Sequence, residues 1–330
     1  MNMFQNKNNF NWGIVGTGHI AKKFVSDLFF LNNHKVIAVS SRSKKNAETF
    51  AKNFNIDNFF DNHKDILLIN NIDAVYIATD TSLHTDLSVY FLNKGIPVLC
   101  EKPFALSFSD SQKIISASIN NNVAFMEAMW TLYLPLIKDI LKDISNKKIG
   151  NIISFDATYG RYFKKDNKFR LFNKDLGGGS LYDLGIYPIA ILSCIVNNIN
   201  IIKSYGFINE FGVDDCLSSI LSFDGGRATI SCSIINSLSN TATISGEYGK
   251  IVIESPLYNS PKYTIYDNNN NIIGGKEIKY NGFGLREQAE YFKNMIINKK
   301  IESEIYGFDK MTTTMRIMQL ISDEIGLCYE

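Results

Sequence analysis

Gly16-Thr17-Gly18-His19-Ile20-Ala21 follows a short apolar run, Trp12 to Gly16, and opens a stretch of helical spacing. In a GxGxxA turn the first glycine permits the tight bend and the second lets the backbone approach a pyrophosphate. The small third residue allows helix and strand to pack closely, and the helix N-terminus faces the phosphate charge. These residues point to a dinucleotide; a glycine-rich turn with no ligand is the plainer reading. A chain that binds NAD usually ends its second strand with an acid, which takes the ribose hydroxyls. Here that strand ends Val39-Ser40-Ser41-Arg42-Ser43-Lys44-Lys45. The hydroxyl of Ser41 and the guanidinium of Arg42 suit a 2′-phosphate, so NADP is favoured over NAD. The alternative is that Arg42 merely begins a solvated helix.

Two further groups carry reactive side chains. Glu101-Lys102-Pro103 follows the strand Pro97 to Cys100, at the sheet edge where ligands bind in doubly wound folds. A lysine there can donate to a substrate oxygen, although by itself it reads equally as a surface lysine before a turn. Gly177-Gly178-Gly179-Ser180-Leu181-Tyr182-Asp183-Leu184-Gly185-Ile186-Tyr187-Pro188 brings backbone close to a neighbour and leads into a helix. Asp183 and Tyr187 are four apart and share a helical face. A carboxylate and a phenol on an apolar helix need partners, whether for chemistry or for a structural network. Pro188 would free the carbonyl of Leu184 and bend the helix.

The elements that must position these residues follow from periodicity. In the first half, apolar runs at 35–40, 72–78, 97–100 and 123–126 alternate with helical spacing at 20–31, 44–54, 85–93 and 109–119. Strands apolar on both faces and separated by helices predict a Rossmann doubly wound parallel sheet, an α/β domain over residues 1–128. In the second half, strand-like runs at 151–159, 199–208, 217–223, 227–235, 241–245 and 250–253 are joined by turns at 224–226 and 246–249. They predict an α+β domain over 129–330 with a mainly antiparallel, open-faced sheet. Two helices, 285–298 and 308–325, close the chain, and the C-terminal helix is expected to pack back on the first domain.

The composition, 45% hydrophobic with 23 Phe and 16 Tyr, is that of a folded chain. A net charge of +1 provides no electrostatic case for nucleic acid or an anionic membrane. Five cysteines in no CxxC pairing and four histidines in no HxxxH or HExxH pattern argue for reduced thiols and against zinc. Residues 1–12 lack the apolar core of a signal peptide. The stretch 184–196 is too short to span a membrane and reads as a buried helix. The expected location is the cytoplasm.

These elements together resemble the Gfo/Idh/MocA oxidoreductases, the glucose–fructose oxidoreductase and inositol dehydrogenase group. The resemblance rests on 13–21, Glu101-Lys102-Pro103 and 177–187, and runs from about Phe10 to the C-terminus. Within the family, 126–130 (Met-Glu-Ala-Met-Trp), 183–187, 212–215 and 239–246 are most similar to the dimeric dihydrodiol dehydrogenase branch, also described as NADP-linked D-xylose dehydrogenases. The resemblance implies that Gly16, Thr17, Gly18, His19, Ile20, Ser41, Arg42, Thr79, His84, Glu101 and Lys102 bind the cofactor. Asp80 stands where the family usually has Pro or Asn. Lys102 matches the catalytic lysine, Asp183 the acidic position, and Tyr187 the acid/base of this branch, where much of the family has His. Trp130 and Arg170 match substrate-pocket positions. The implied reaction moves a hydride between NADP and a secondary alcohol or carbonyl of a sugar or cyclic diol. Tyr187 would exchange the proton and Lys102 would favour its phenolate. A dinucleotide sensor without turnover is the alternative. Relatives pair through the open sheet, and 217–223 and 227–235 carry more apolar residues than a solvated sheet would, so a homodimer or higher oligomer is expected.

Overall fold

In a computed structural model, residues 9–329 are described. Residues 1–8, most of the stretch read above as lacking a signal-peptide core, lie outside the described residues, as does Glu330. The first sheet has six strands: β1 (Phe10–Val15), β2 (His34–Ser40), β3 (Asn58–Phe60), β4 (Ala74–Ile77), β5 (Val98–Glu101) and β6 (Phe125–Ala128). All pairings are parallel, in the order β3-β2-β1-β4-β5-β6. Every residue of β4, β5 and β6 is buried, as a parallel sheet covered on both faces requires. The crossovers carry α1 (His19–Leu28), α2 (Lys44–Phe54), α3 (His84–Asn93) and α4 (Phe108–Asn121). The strand order reverses between β1 and β4, the position at which such sheets bind ligands.

The second sheet has eight strands. After α5 (Pro135–Ser145) come β7 (Ile152–Gly160), α6 (Ile186–Ile195), β8 (Asn200–Ile208), β9 (Asp214–Phe223), β10 (Gly226–Ser233), β11 (Ala242–Gly246), β12 (Gly249–Ile253), β13 (Lys262–Asp267) and β14 (Ile272–Glu277). The order is β14-β13-β12-β11-β7-β10-β9-β8, antiparallel except for β7 with β10. α6 enters through a wider π turn, Leu181–Gly185. Pro188 thus follows this π turn within one continuous helical run, at the position whose N–H would otherwise bond the Leu184 carbonyl. The helical run Lys174–Ile195 is long and apolar enough to cross a membrane by length and composition, but 83% of its most apolar window is buried, as in a core helix.

Strand alternation places the apolar residues of β9 and β10 on the inner face. Leu217, Leu221, Phe223, Ala228 and Ile230 are all buried. The outer face is rich in hydroxyls: Ser218 pairs with Ser231 at 2.8 Å, and Thr158 with Ser239 at 2.7 Å. Most of the apolar content of these strands thus belongs to the core, and Ile220 of β9, 44% exposed, is left on the outer face. Further exposed apolar side chains lie toward the β8 edge, where Tyr205 is 68% and Phe207 57% exposed.

The chain divides into two compact units: Met1–Ala105, Ser109–Trp130 and Asn281–Phe308 form one, and Leu106–Phe108, Thr131–Tyr280 and Asp309–Glu330 the other. A single cut after 128 misses the return of 281–308 to the first unit. That segment carries α7 (Arg286–Ile297), whereas the last helix, α8 (Phe308–Ile325), lies almost wholly in the second unit. Specific contacts hold α7. Asp27 of α1 accepts the backbone N–H groups of Phe283 (2.8 Å) and Leu285 (2.7 Å), and Trp12 stacks on Phe292 at 6.0 Å. Trp12 Nε1 donates to His34 Nδ1 at 2.9 Å, so His34 Nε2 carries the proton donated to Glu290, also at 2.9 Å. This is neutral imidazole. Burial lowers its pKa, and Lys293 acts in the same direction, against the opposing effect of Glu290. The unfolded chain therefore binds a proton here at higher pH than the folded one, and stability falls as pH drops below the ordinary histidine value. His63, also lowered by burial, adds to the effect. Scanning calorimetry should show the thermal midpoint falling by about 2–4 °C between roughly pH 7 and pH 5, with a smaller fall in His34→Gln. Equal slopes in both proteins would refute this assignment.

Candidate active site

The glycine loop closes on the carboxyl ends of β1, β2 and β4. Gly16 N donates to Ser40 O at 2.8 Å, and Ala78 N to Val15 O at 2.7 Å. Gly16 has φ +108°, and a Cβ there would collide with the Ala78 carbonyl oxygen. Gly18 is the extended N-cap of α1. No side chain caps that helix and no acid stands in its first turn, so His19 and Ile20 begin a helix whose leading N–H groups are left to an anion. A Cβ on Gly18 would meet the Ala78 carbonyl oxygen at 3.9 Å, an ordinary van der Waals contact. The loop thus fits a pyrophosphate. Thr17 Oγ1 donates to Ser41 Oγ at 3.2 Å, joining the loop to the end of β2. The acid missing from that strand arrives from β4: Asp80 Oδ2 pairs with Arg42 Nη2 at 2.7 Å.

Glu101 ends β5 and is buried; it accepts a 2.5 Å hydrogen bond from Tyr76, so it is a structural anchor immediately before Lys102. Both ring nitrogens of buried His84 face carbonyl oxygens, Nδ1 that of Pro103 (2.8 Å) and Nε2 that of Thr79 (3.2 Å). The neutral ring carries one N–H and donates to one of these carbonyls, so His84 lies between the Thr79 and Pro103 backbones as a spacer. Glu127 on β6, part of the 126–130 segment but given no role by the sequence, accepts Phe104 N at 3.1 Å and is fully buried. Burial pushes its pKa up to about 8, against the effects of Phe104 N, Tyr306 and Lys102, so it is largely protonated at neutral pH. Trp130 is buried at the end of this unit's second segment.

The second unit holds Arg170, Asp183 and Tyr187. Arg170 Nη2 pairs with Asp183 Oδ1 at 2.6 Å. Buried Tyr187 meets Tyr159 edge-on at 5.6 Å, and Tyr258 at 6.1 Å. Tyr159 stacks on Tyr258 at 5.3 Å. Burial raises the Tyr159 pKa, and Tyr187, Tyr258 and Asp183 add to the rise. Alternation along β7 was a signal for Tyr159; nothing local marked Tyr258. Asp214, within the 212–215 segment but given no role by the sequence, is fully buried and accepts Ser180 Oγ (2.5 Å) and Leu181 N (2.8 Å). A Cβ on Gly179, at φ +99°, would strike this carboxylate, which explains the glycine there. Among the described residues, no three His, Cys, Asp or Glu side chains gather where they could hold a metal ion.

A model of the Gfo/Idh/MocA oxidoreductase family, NAD-binding Rossmann fold, matches residues 10–129, and the family's C-terminal domain model matches 137–252. The chain belongs to this family and is an NAD(P)-dependent oxidoreductase. It is 30% identical to trans-1,2-dihydrobenzene-1,2-diol dehydrogenase of Xenopus tropicalis, over 96% of this chain and 98% of that protein. It is 32% identical, with the same coverage, to scyllo-inositol 2-dehydrogenase (NADP(+)) IolU of Bacillus subtilis (strain 168). Two solved structures share the fold. KijD10, a 3-ketoreductase from Actinomadura kijaniata in complex with NADP and TDP-benzene, has a TM-score of 0.84 at 18% identity, over 96% of this chain and 98% of that one. Levoglucosan dehydrogenase in complex with NADH and levoglucosan has a TM-score of 0.85 at 19% identity, over 96% and 97%.

Gly16→Ala should cost about 1–3 kcal/mol in a denaturant melt, since it forces a side chain into a positive φ against a carbonyl. It should also weaken dinucleotide binding, followed by cofactor fluorescence, by at least about tenfold, or roughly 1.4 kcal/mol. Unaltered binding would show that the loop does not carry the cofactor.

Proposed function

We propose that this chain is an NADP-preferring dehydrogenase acting on a secondary alcohol, or in reverse a carbonyl, of a sugar or cyclic diol. The observation that carries this reading is the grouping of Tyr187, Tyr159 and Tyr258 in the unit that also holds the Arg170–Asp183 pair. A guanidinium and a carboxylate suit adjacent hydroxyls, and aromatic faces suit the apolar face of a ring. Curated relatives that act on a dihydrodiol and on an inositol support the same substrate class. Ser41 and Arg42 support the preference for NADP, and Gly16, Thr17, Gly18, His19, Ile20, Thr79, His84 and Glu101 line or brace the cofactor loop.

The nicotinamide, when bound, accepts the hydride. Tyr187 takes the hydroxyl proton as that hydride leaves carbon, and returns a proton when a carbonyl is reduced. A free phenol is a poor base at neutral pH, and the Lys102 ammonium favours its phenolate. Asp183, held by Arg170, orients the substrate, and Trp130 adds an aromatic wall. A panel of aldoses and cyclic diols with NADP, followed by absorbance of the reduced cofactor, tests the substrate class. Tyr187→Phe should lower kcat by about 10²–10⁴, with cofactor affinity nearly intact. Lys102→Met should do at least as much damage, and the two losses should not add. A Tyr187→Phe variant with unchanged turnover, where chemistry limits the rate, would remove Tyr187 from the mechanism.

A cytoplasmic location fits the buried thiols of Cys100 and Cys232, whose pKa values burial raises. The exposed Ile202, Tyr205, Phe207 and Ile220 support pairing of two chains through the outer sheet face near the β8 edge. Light scattering should give at least twice the 37.3 kDa chain mass. A stable monomer at micromolar concentration would refute the dimer.

A further inference from the structure

The Arg42–Asp80 pair answers what the second strand leaves open. In a doubly wound sheet the residue at the end of β2 faces the adenosine ribose: an acid there takes the 2′-hydroxyl, and an arginine nearby accommodates a 2′-phosphate. Here β2 ends at Ser40, and Ser41 and Arg42 follow without an acid. The acid comes from another strand. Asp80, three residues beyond β4, places Oδ2 at 2.7 Å from Arg42 Nη2. The arginine side chain is 70% exposed and the aspartate side chain 24%. Exposed pairs of this kind contribute little to stability, so the fold does not depend on it. Asp80 precedes the short turn Thr81–Leu83 but makes no capping hydrogen bond to it, so its carboxylate has no helix-capping task. Meanwhile Ser41, the intervening residue, is fixed: its N–H donates to Phe60 O at 3.0 Å and its hydroxyl receives Thr17. An exposed cation and a carboxylate of separate origin therefore share one position.

We propose that Asp80 is a cofactor-selectivity residue that supplies, from the end of β4, the carboxylate absent from β2. This rests on the reading that the Gly16 loop binds the dinucleotide with its adenosine ribose toward Arg42. With NAD, Asp80 accepts the ribose 2′-hydroxyl and Arg42 stays paired to it. With NADP, the 2′-phosphate draws Arg42 to itself, and Asp80 opposes the phosphate by like charge. Arg42 sets the preference for NADP and Asp80 limits its margin, which leaves the protein able to use both.

Calorimetric titration of wild type, Asp80→Asn and Arg42→Ala tests this without turnover, using NADP, NAD and the fragments 2′,5′-ADP and 5′-AMP. Asp80→Asn should bind NADP about threefold to tenfold more tightly and NAD more weakly by a similar factor, raising the NADP/NAD affinity ratio at least about tenfold. Arg42→Ala should weaken NADP and 2′,5′-ADP by about tenfold or more, and change NAD by no more than about threefold. The fragments should reproduce the shift, which locates it at the ribose. If wild type binds both dinucleotides and Asp80→Asn leaves the ratio unchanged, or shifts it toward NAD, this proposal alone is overturned. If wild type binds neither, the dehydrogenase reading falls and takes this proposal with it.

Discussion

The first unit is organised around the approach of Gly16 to the carbonyl of Ala78. β1 and β4 are neighbours because the strand order reverses there, and the two chain segments leaving their carboxyl ends must pass without side-chain clearance. Only glycine allows this at φ +108°. The contact fixes where α1 starts. Ala21 and Phe24 are then fully buried, and Phe24 stacks on Tyr76 at 3.8 Å. The Tyr76 hydroxyl in turn holds Glu101, the residue before Lys102. One close approach of backbone thus propagates through a helix, a ring and a carboxylate to the end of β5.

In the second unit a buried carboxylate has the corresponding role. Burial drives the Asp214 pKa up to about 7, and the bonds from Ser180 and Leu181 oppose that rise. Both donors act toward the ionised form against its burial, so Asp214 and the turn after the glycine run specify one another. That turn opens the π segment carrying Asp183 and precedes the helix carrying Tyr187. The tail reaches the same place: the Tyr329 hydroxyl donates to Gly178 O, and its ring meets Tyr182 edge-on at 4.7 Å.

Local chemistry made much of this legible. Alternating apolar runs and helical spacing identify a parallel sheet, and the turns at Asp224-Gly225 and Glu247-Tyr248 mark hairpins that the structure contains. α5 carries the same kind of signal, with Pro135 opening it and Leu136, Ile137 and Ile140 buried on one face. Other features had no local signal. The return of 281–308 depends on Trp12, His34 and Asp27, more than 240 residues earlier in the chain. The apolar count of β9 and β10 does not reveal which face alternation selects: most of it lies inside, and Ile220 lies outside. Asp80 looked like a departure from a pattern until its partner was known, since a carboxylate's meaning depends on which cation it meets.

Glu127 shows how such partners set charge near Lys102. The β5–β6 register places it opposite Cys100, one residue from Glu101. Three ionisable groups therefore crowd one end of the sheet: Glu101, Lys102 and Glu127. With the Glu127 pKa pushed up to about 8 by burial, its carboxyl is largely protonated at neutral pH and adds little negative charge near Lys102. Were Glu127 ionised as well, the two carboxylates would hold the lysine's charge locally and repel each other in a buried setting. Burial deep enough to keep one acid neutral spares this end of the sheet a second buried carboxylate charge.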